Sequence, residues 1–227
     1  GARMKDHNWH RGGYGVITTT QTLMYSSNIG VSRLIDQNYH DHPEKYVQGL
    51  YKLGIASPLH LDIPGAGDPF IRMPNKNNWS KTALAWMSIG YETQIPPIST
   101  VTFYNAIVMV KPKFVKAIMK DGQVVKEIPT EVLNPAIASP KTIQEIQVIL
   151  EKVVSEGLGR QAGSKQFHVS GKTGTAQVSQ GRSGYTNGMR QYLVSFCGYF
   201  PSESPRYSCI VAIQKNGYPA SGGGMAG

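Results

Sequence analysis

The chain has 227 residues, of which 40% are hydrophobic, and a formal net charge of +9 at pH 7. This hydrophobic content is sufficient for a folded core and excludes a disordered chain, and no apolar run reaches the roughly 18 residues of a membrane-spanning helix. The positive charge predicts a basic surface, but the chain lacks the dense block of lysine and arginine with interleaved aromatic residues that is typical of nucleic-acid binding.

The first part of the chain, up to about residue 110, carries helical patterns. Five helical segments are predicted here: 18–25, 29–37, one from Pro43 to a stop at Gly54, 79–88, and one that opens at Pro96 and Pro97. Residues 55–79 are rich in proline and glycine and predict a long loop. The sequence therefore predicts a helical subdomain over residues 1–110.

Strand patterns dominate after residue 110. Asp121-Gly122 is a hairpin turn signal inside residues 114–128, and Ser139-Pro140 predicts the start of a helix that Gly157 ends. Three further strands are predicted: 167–178, 191–200 and 206–214. The last two strands are apolar on both faces, which predicts central positions in a covered sheet. We therefore expect a sheet-containing part over residues 111–227 of a single domain.

The two cysteines lie in these last two strands. They form no C-x-x-C pair and the histidines form no H-E-x-x-H motif, so neither a metal site nor a cofactor is predicted. Pro201 and Pro205 are symmetric about Glu203, and a hairpin centred there pairs Cys197 directly with Cys209. The sequence therefore predicts two buried free thiols that are cross-strand neighbours.

Residues 170–177 read SGKTGTAQ, which invites comparison with a phosphate-binding loop. The pattern G-x-x-x-x-G-K-[ST] requires a glycine at position 166, where this chain has Gln166, and a helix after the lysine. Thr173 and Thr175 are β-branched instead, and Gly174 interrupts any helix. We therefore predict a strand, on which the glycine marks the close approach of another backbone or a ligand to the segment around Lys172.

Two short motifs belong together: Ser26-Ser27-Asn28 between two predicted helices and Lys172-Thr173-Gly174 on a predicted strand. Each alone is common, but together they match two parts of the serine acyl-transferase set S-x-x-K, S-x-N and K-T-G. With the surrounding segments GVITTTQTLMYSSNIGVSRLI, WMSIGYETQIPPISTVTFYNAI and VSFCGYFPSESPRYSCIVAI, the chain resembles the transpeptidase domain of class B penicillin-binding proteins. The wording of the motifs resembles the septal, division-specific type.

This resemblance implies an α/β (α+β) fold shared with serine β-lactamases, with an antiparallel sheet, covering helices and a helical subdomain. It also implies acyl transfer on peptidoglycan stem peptides that end in D-Ala-D-Ala, and acylation by β-lactams. By resemblance, Lys172 keeps the site positive and hydrogen-bonds Ser26, which relays a proton to the leaving nitrogen. Asn28 would contact the substrate amide and the catalytic lysine of S-x-x-K.

The resemblance also assigns substrate-binding residues to the predicted strand. The hydroxyl groups of Thr173 and Thr175 would bind the terminal carboxylate, and the backbone at Gly174 would lie against the extended peptide. The amide of Thr175 would form half of an oxyanion hole. If both motifs belong to one site, Ser26 Oγ and Lys172 Nζ must lie within hydrogen-bond range or one water apart.

The chain departs from the family pattern in one important respect, because no serine has a lysine three positions later. The nucleophile is therefore expected upstream of Gly1, and the domain is expected to be truncated at both ends. The alternatives are a non-catalytic or penicillin-sensing domain of the same fold and, third, a serine β-lactamase. The stretch EVLN at 131–134 is one residue shorter than the deacylating E-x-x-L-N motif and predicts an ordinary connector.

The resemblance further implies the surroundings of the protein. The expected partners are peptidoglycan stem peptides, β-lactam antibiotics and other cell-wall synthesis or divisome proteins, with no nucleic acid. The expected location is the periplasmic face of the inner membrane, reached through an anchoring segment absent from these 227 residues. The fragment alone is expected to be inactive because it lacks the nucleophilic serine.

Overall fold

The computed structural model describes residues 3–59, 67–77, 79–108, 116–128, 136–179, 190–217 and 226. Within these ranges the α-helices are α1 Thr19–Met24, α2 Asn28–Tyr39, α3 Pro43–Lys52, α4 Ala83–Met87, α5 Pro97–Ile107 and α6 Pro140–Ser155. The strands are β1 Phe70–Ile71, β2 Thr93–Gln94, β3 Ala117–Lys120, β4 Gln123–Glu127, β5 Ser170–Val178, β6 Gln191–Phe200 and β7 Tyr207–Asn216. None of the described helices is both long and apolar enough to cross a membrane.

The helix boundaries follow the local signals. Thr18 caps α1 in a capping box with Gln21, and the Ser139 side chain accepts from the backbone N–H of Thr142 at the start of α6. Pro43 occupies the first turn of α3, as predicted, and Gly54 follows that helix with a φ of 78°. Helix α2 runs two residues beyond its predicted end, and α4 covers five of the ten residues predicted over 79–88.

The stretch predicted as a loop over 55–79 contains a short strand. Phe70 and Ile71 form strand β1, which pairs antiparallel with Thr93 and Gln94 of β2. Ile71 is buried with Val47, Ala56 and Met87 in a core cluster beside α3 and α4. A strand of two residues shows no alternating pattern, so periodicity could not reveal it.

The main sheet has the order β5-β6-β7 among the described residues, and both pairings are antiparallel. Leu150 and Val154 of α6 pack against this sheet, in clusters with Tyr199 and Phe196 respectively. The central position predicted for β6 is confirmed. The same prediction is wrong for β7, which is an edge strand of the described sheet with Val211 and Ile213 exposed. An apolar run shows that a strand can be buried, but it does not show whether another element covers that strand.

The cysteine pairing is off by one residue. Cys197 lies opposite Ile210 and Cys209 opposite Gly198, so the two side chains point to opposite faces of the sheet. The hairpin closes at Phe200 and Tyr207, which leaves six connecting residues where the symmetric prediction required an odd number. Both cysteines are free, as predicted, with Cys197 buried and Cys209 half-buried.

The β3–β4 hairpin turns at Asp121-Gly122, as predicted. Both residues have positive φ, 52° and 78°, which matches the mirror-image turn that suits the twist of a two-residue hairpin. The stretch EVLN at 131–134 lies outside the described residues.

Candidate active site

Ser26 lies in the short connection between α1 and α2. Tyr25 is the C-cap of α1 and Ser27 is the N-cap of α2. The Ser27 side chain accepts from the N–H of Gly30 at 2.9 Å. Ser26 itself has a φ of 50°, in the left-handed region that residues with a Cβ rarely adopt. The connection therefore turns sharply at Ser26.

Lys172 lies on β5, opposite Cys197 of the central strand β6. Its Nζ donates to Ser26 Oγ at 2.8 Å and to the backbone carbonyl of Thr173 at 2.9 Å. The predicted contact between Ser26 and Lys172 is thus confirmed, across 146 positions of the chain. Lys172 lies inside strand β5 and not at the start of a helix, so the described residues contradict a phosphate loop.

Burial lowers the pKa of Lys172 from its ordinary value of 10.5 to about 8. The ammonium form still predominates at pH 7, so the group donates hydrogen bonds and carries positive charge. A lysine with a pKa near neutrality can also give up a proton at modest cost. The pair therefore combines a hydroxyl with a cation that can resupply its proton.

Asn28 is the first residue of α2, two positions after Ser26. Its side-chain amide donates to the backbone carbonyl of Lys5 at 3.2 Å. This bond links the helix start to the N-terminal segment, and contact of Asn28 with a substrate amide stays a prediction.

The two threonines of β5 have different surroundings. Thr173 is buried and Thr175 is exposed, and both lie on the side of the strand opposite to Lys172 because side chains alternate. A Cβ at Gly174 would lie 2.6 Å from the hydroxyl oxygen of Ser195 on β6. A side chain at this position would therefore require the Ser195 hydroxyl to rotate away.

Strand β5 is an edge of the described sheet, with pairing to β6 on one side. Near its end, Gln177 lines a cleft of about 630 Å³ together with Trp86 and Tyr91. Arg72 and Glu92, which also line this cleft, form an ion pair at 2.6 Å. An extended chain laid along β5 from Lys172 would lead toward this cleft.

Two residues beside Ser26 were not singled out from the sequence. Ser27 Oγ donates to Asp6 Oδ2 at 2.8 Å, and the N–H of Ile29 donates to Asp6 Oδ1 at 3.1 Å. Asp6 and Ser27 are both buried. No motif marks a single aspartate 20 positions before S-x-N, and Ser27 stands at the unspecified position of that motif. The sequence pattern therefore marks neither residue.

A serine hydroxyl held by a lysine ammonium beside a strand edge is the arrangement of the serine acyl-transferase class that uses S-x-N and K-T-G. The family model for the penicillin binding protein transpeptidase domain matches residues 1–227, and the chain therefore belongs to this family.

Curated relatives agree with this family. The chain is 29% identical over 204 residues to the probable peptidoglycan D,D-transpeptidase PbpC of Pseudomonas aeruginosa, covering 87% of this chain and 33% of that protein. It is 26% identical over 202 residues to the peptidoglycan D,D-transpeptidase FtsI of Escherichia coli, covering 88% of this chain and 32% of that protein. The chain thus spans about a third of the length of these relatives.

Solved structures share the fold. Penicillin binding protein 3 of Mycobacterium tuberculosis in complex with aztreonam matches with a TM-score of 0.74 at 28% identity, covering 93% of this chain and 48% of that chain. The transpeptidase domain of Burkholderia pseudomallei penicillin-binding protein 3 matches with a TM-score of 0.68 at 28% identity, covering 94% of this chain and 61% of that chain. The predicted mixed α/β transpeptidase fold with an antiparallel sheet and helices is confirmed.

Proposed function

We propose that this chain supplies the proton relay and the peptide-binding strand of a class B peptidoglycan D,D-transpeptidase. The reaction is acyl transfer from a stem peptide ending in D-Ala-D-Ala, in which the terminal D-Ala leaves and an amine of a second strand takes the acyl group. The nucleophile is a serine outside these 227 residues, since none of the serines here has a lysine three positions later. The observation that supports the proposal is the Lys172–Ser26 hydrogen bond of 2.8 Å.

Ser26 and Lys172 act as a relay in this scheme. Ser26 Oγ accepts from Lys172 Nζ, which leaves its own hydroxyl proton free to go to the leaving nitrogen. When that proton departs, Lys172 passes one of its protons to the serine oxygen and becomes a neutral amine. The burial that lowers the lysine pKa to about 8 reduces the cost of this transfer.

The substrate lies along the edge of β5 as an added strand. Thr175, whose side chain is exposed, and Thr173 contact the terminal carboxylate, and the positive charge of Lys172 favours the same anion. Asn28 contacts the peptide amide and the lysine of S-x-x-K. The cleft beside Gln177 receives more distant parts of the stem peptide.

The setting of the full protein follows from the same family. β-Lactams acylate the nucleophilic serine, in keeping with relatives whose structures hold aztreonam and ampicillin. We place the domain on the extracytoplasmic side, anchored through another part of the protein, and assign it to the septal type with other cell-wall synthesis proteins as partners. The FtsI proteins among its relatives support this assignment.

Intact-mass spectrometry of the full-length protein with a β-lactam tests the proposal. We expect one stable adduct, mapped to a serine outside residues 1–227, and none on the 227-residue chain alone. Ser26→Ala should slow adduct formation about 100-fold, by loss of general acid–base catalysis, whereas Ser80→Ala, at an exposed serine, should not.

Three results would contradict the proposal. No adduct on the full-length protein would favour a non-catalytic domain, and rapid turnover of the adduct would favour a β-lactamase. An adduct on Ser26 itself would show that the nucleophile is misassigned.

A further inference from the structure

The backbone at Ser26 is held in an unfavourable conformation. A φ of 50° is strained for a residue with a Cβ and persists only where the surroundings impose it. The contact of Ser26 with Lys172 is a single hydrogen bond to a flexible side chain. Other contacts must therefore hold the turn.

The carboxylate of Asp6 accepts two hydrogen bonds from the N-terminus of α2. Its Oδ2 accepts from Ser27 Oγ at 2.8 Å, immediately after Ser26, and its Oδ1 accepts from the N–H of Ile29 at 3.1 Å. Ser27 Oγ in turn accepts from the N–H of Gly30 at 2.9 Å. One carboxylate thus fixes the first turn of α2, and with it the direction in which the chain leaves Ser26.

Burial makes these bonds strong and selective. Asp6 is 5% exposed and Ser27 is 2% exposed, so water cannot replace either partner at low cost. A carboxylate at the N-terminus of a helix also interacts favourably with the helix dipole. The two bonds are charge-assisted, which makes them about twice as strong as neutral ones.

The residue before Ser26 is held from the same N-terminal segment. Tyr14 Oη donates to the carbonyl oxygen of Tyr25 at 3.2 Å, and the two rings stack with centroids 5.1 Å apart. The turn is thus fixed on both sides, at Tyr25 by an aromatic stack and at Ser27 by a buried charge. Asp6 supplies the charged contact.

We propose that Asp6 is a positioning residue that acts through Ser27 and Ile29 to keep Ser26 Oγ aimed at Lys172 Nζ. The proposal rests on the proposed function, in which Ser26 relays a proton. In this proposal Asp6 acts through its hydrogen bonds to Ser27 and Ile29 and not by contact with substrate or a reacting atom. Its effect on catalysis should therefore depend on the presence of the Ser26 hydroxyl.

Asp6→Asn tests this with almost no change in shape. The amide has one acceptor oxygen where the carboxylate has two, so either Ser27 Oγ–H or the N–H of Ile29 loses its partner. Asp36→Asn is the matched control, because it makes the same chemical change on an exposed position of α2.

In the full-length protein, Asp6→Asn should slow acylation by a β-lactam about 10- to 100-fold, the effect of a displacement near 1 Å in a catalytic group. Asp36→Asn should stay within about 2-fold of the wild type. In a Ser26→Ala background, Asp6→Asn should change the residual rate by less than about 2-fold, because no hydroxyl remains to be positioned. An unchanged rate for Asp6→Asn, or the same loss in both backgrounds, would overturn the proposal.

Hydrogen exchange separates this proposal from the proposed function. Asp6→Asn, and not Asp36→Asn, should speed exchange in a peptide covering residues 23–31, whether or not the protein reacts with β-lactams. If the wild type forms no adduct, the proposed function fails. Faster exchange in Asp6→Asn would still show that Asp6 stabilises the turn at Ser26. Unchanged exchange would contradict that hold directly.

Discussion

A Cβ placed on Gly157 would lie 2.5 Å from the backbone carbonyl oxygen of Met24. Gly157 follows α6, and Met24 is the last residue of α1, two positions before Ser26. The N–H of Leu158 donates to the same carbonyl oxygen at 3.0 Å. The end of α6 is thus docked against the last residue of α1, and the Met24 carbonyl cannot shift far without also shifting the turn at Ser26.

Gly157→Ala should therefore impair both stability and reactivity. The added methyl must displace the Met24 carbonyl, and we expect a loss of about 1–3 kcal/mol in the free energy of unfolding, as for other overpacked sites. Slower β-lactam acylation of the full-length protein should accompany it. Gly49→Ala within α3 is the control. No atom of the described residues is recorded within 4 Å of its Cβ position, and the substitution should raise the free energy of unfolding by about 0.5–1 kcal/mol. A neutral Gly157→Ala would contradict the docking.

The lowered pKa of Lys172 predicts a pH dependence with a defined sign. The cation is present below about pH 8 and is lost above it, so acylation of the full-length protein should decline as pH rises through that value. Arginine stays charged over the whole pH range of the assay, so Lys172→Arg should remove this decline. Its acylation rate at pH 7 should be lower than that of the wild type, because a guanidinium does not fit a site shaped for an ammonium group. If the acylation rate of Lys172→Arg still declines with pH, the decline must come from the titration of another group.

The same pKa shift has a consequence for stability. Between about pH 8 and 10.5 the unfolded chain still holds the proton that folded Lys172 has lost, so the contribution of this site to folding stability increases with pH in that range. Lys172→Met removes the titration. The melting temperature of the wild type relative to that of Lys172→Met should therefore rise from pH 7 to pH 10.

Thr175 offers a test of the substrate-binding strand. Thr175→Val keeps a β-branched side chain at an exposed position of β5 and replaces the hydroxyl with a methyl group. We expect an unchanged melting temperature and a roughly 10-fold lower rate of β-lactam acylation in the full-length protein, from the loss of a charge-assisted hydrogen bond to the carboxylate. An unchanged rate would remove Thr175 from the binding site.

The free cysteines should be unreactive in the native protein. Burial raises the pKa of the Cys197 thiol to about 12, with a further contribution from nearby Cys209, whose own pKa is raised by burial. Since the thiolate is the reacting species, iodoacetamide at pH 8 should label Cys197 only after unfolding. Cys197→Ser, which removes the thiol, identifies the labelled site. Rapid labelling of native Cys197, or a disulfide-linked peptide, would contradict the described sheet.

Local signals determined most of the secondary structure. Three local features are confirmed: the Ser139 cap, the helix start at Pro43 and the turn at Asp121-Gly122. Each depends on the backbone conformations that one or two residues can adopt. The presence of both S-x-N and K-T-G predicted contact between Ser26 and Lys172, because the two motifs contribute to one site. The division into parts at residue 110 stays a prediction.

Tertiary structure decided what depends on contacts between distant segments. The β6–β7 register depends on the length of the connecting loop. It differs by one residue from the predicted register, which places Cys197 and Cys209 on opposite faces of the sheet. The sequence alone could not place Asp6 against Ser27, because a buried hydrogen bond between separate segments leaves no periodic trace. Local propensity involves neighbouring residues, whereas register, burial and the strained turn at Ser26 depend on which surfaces the folded chain brings together.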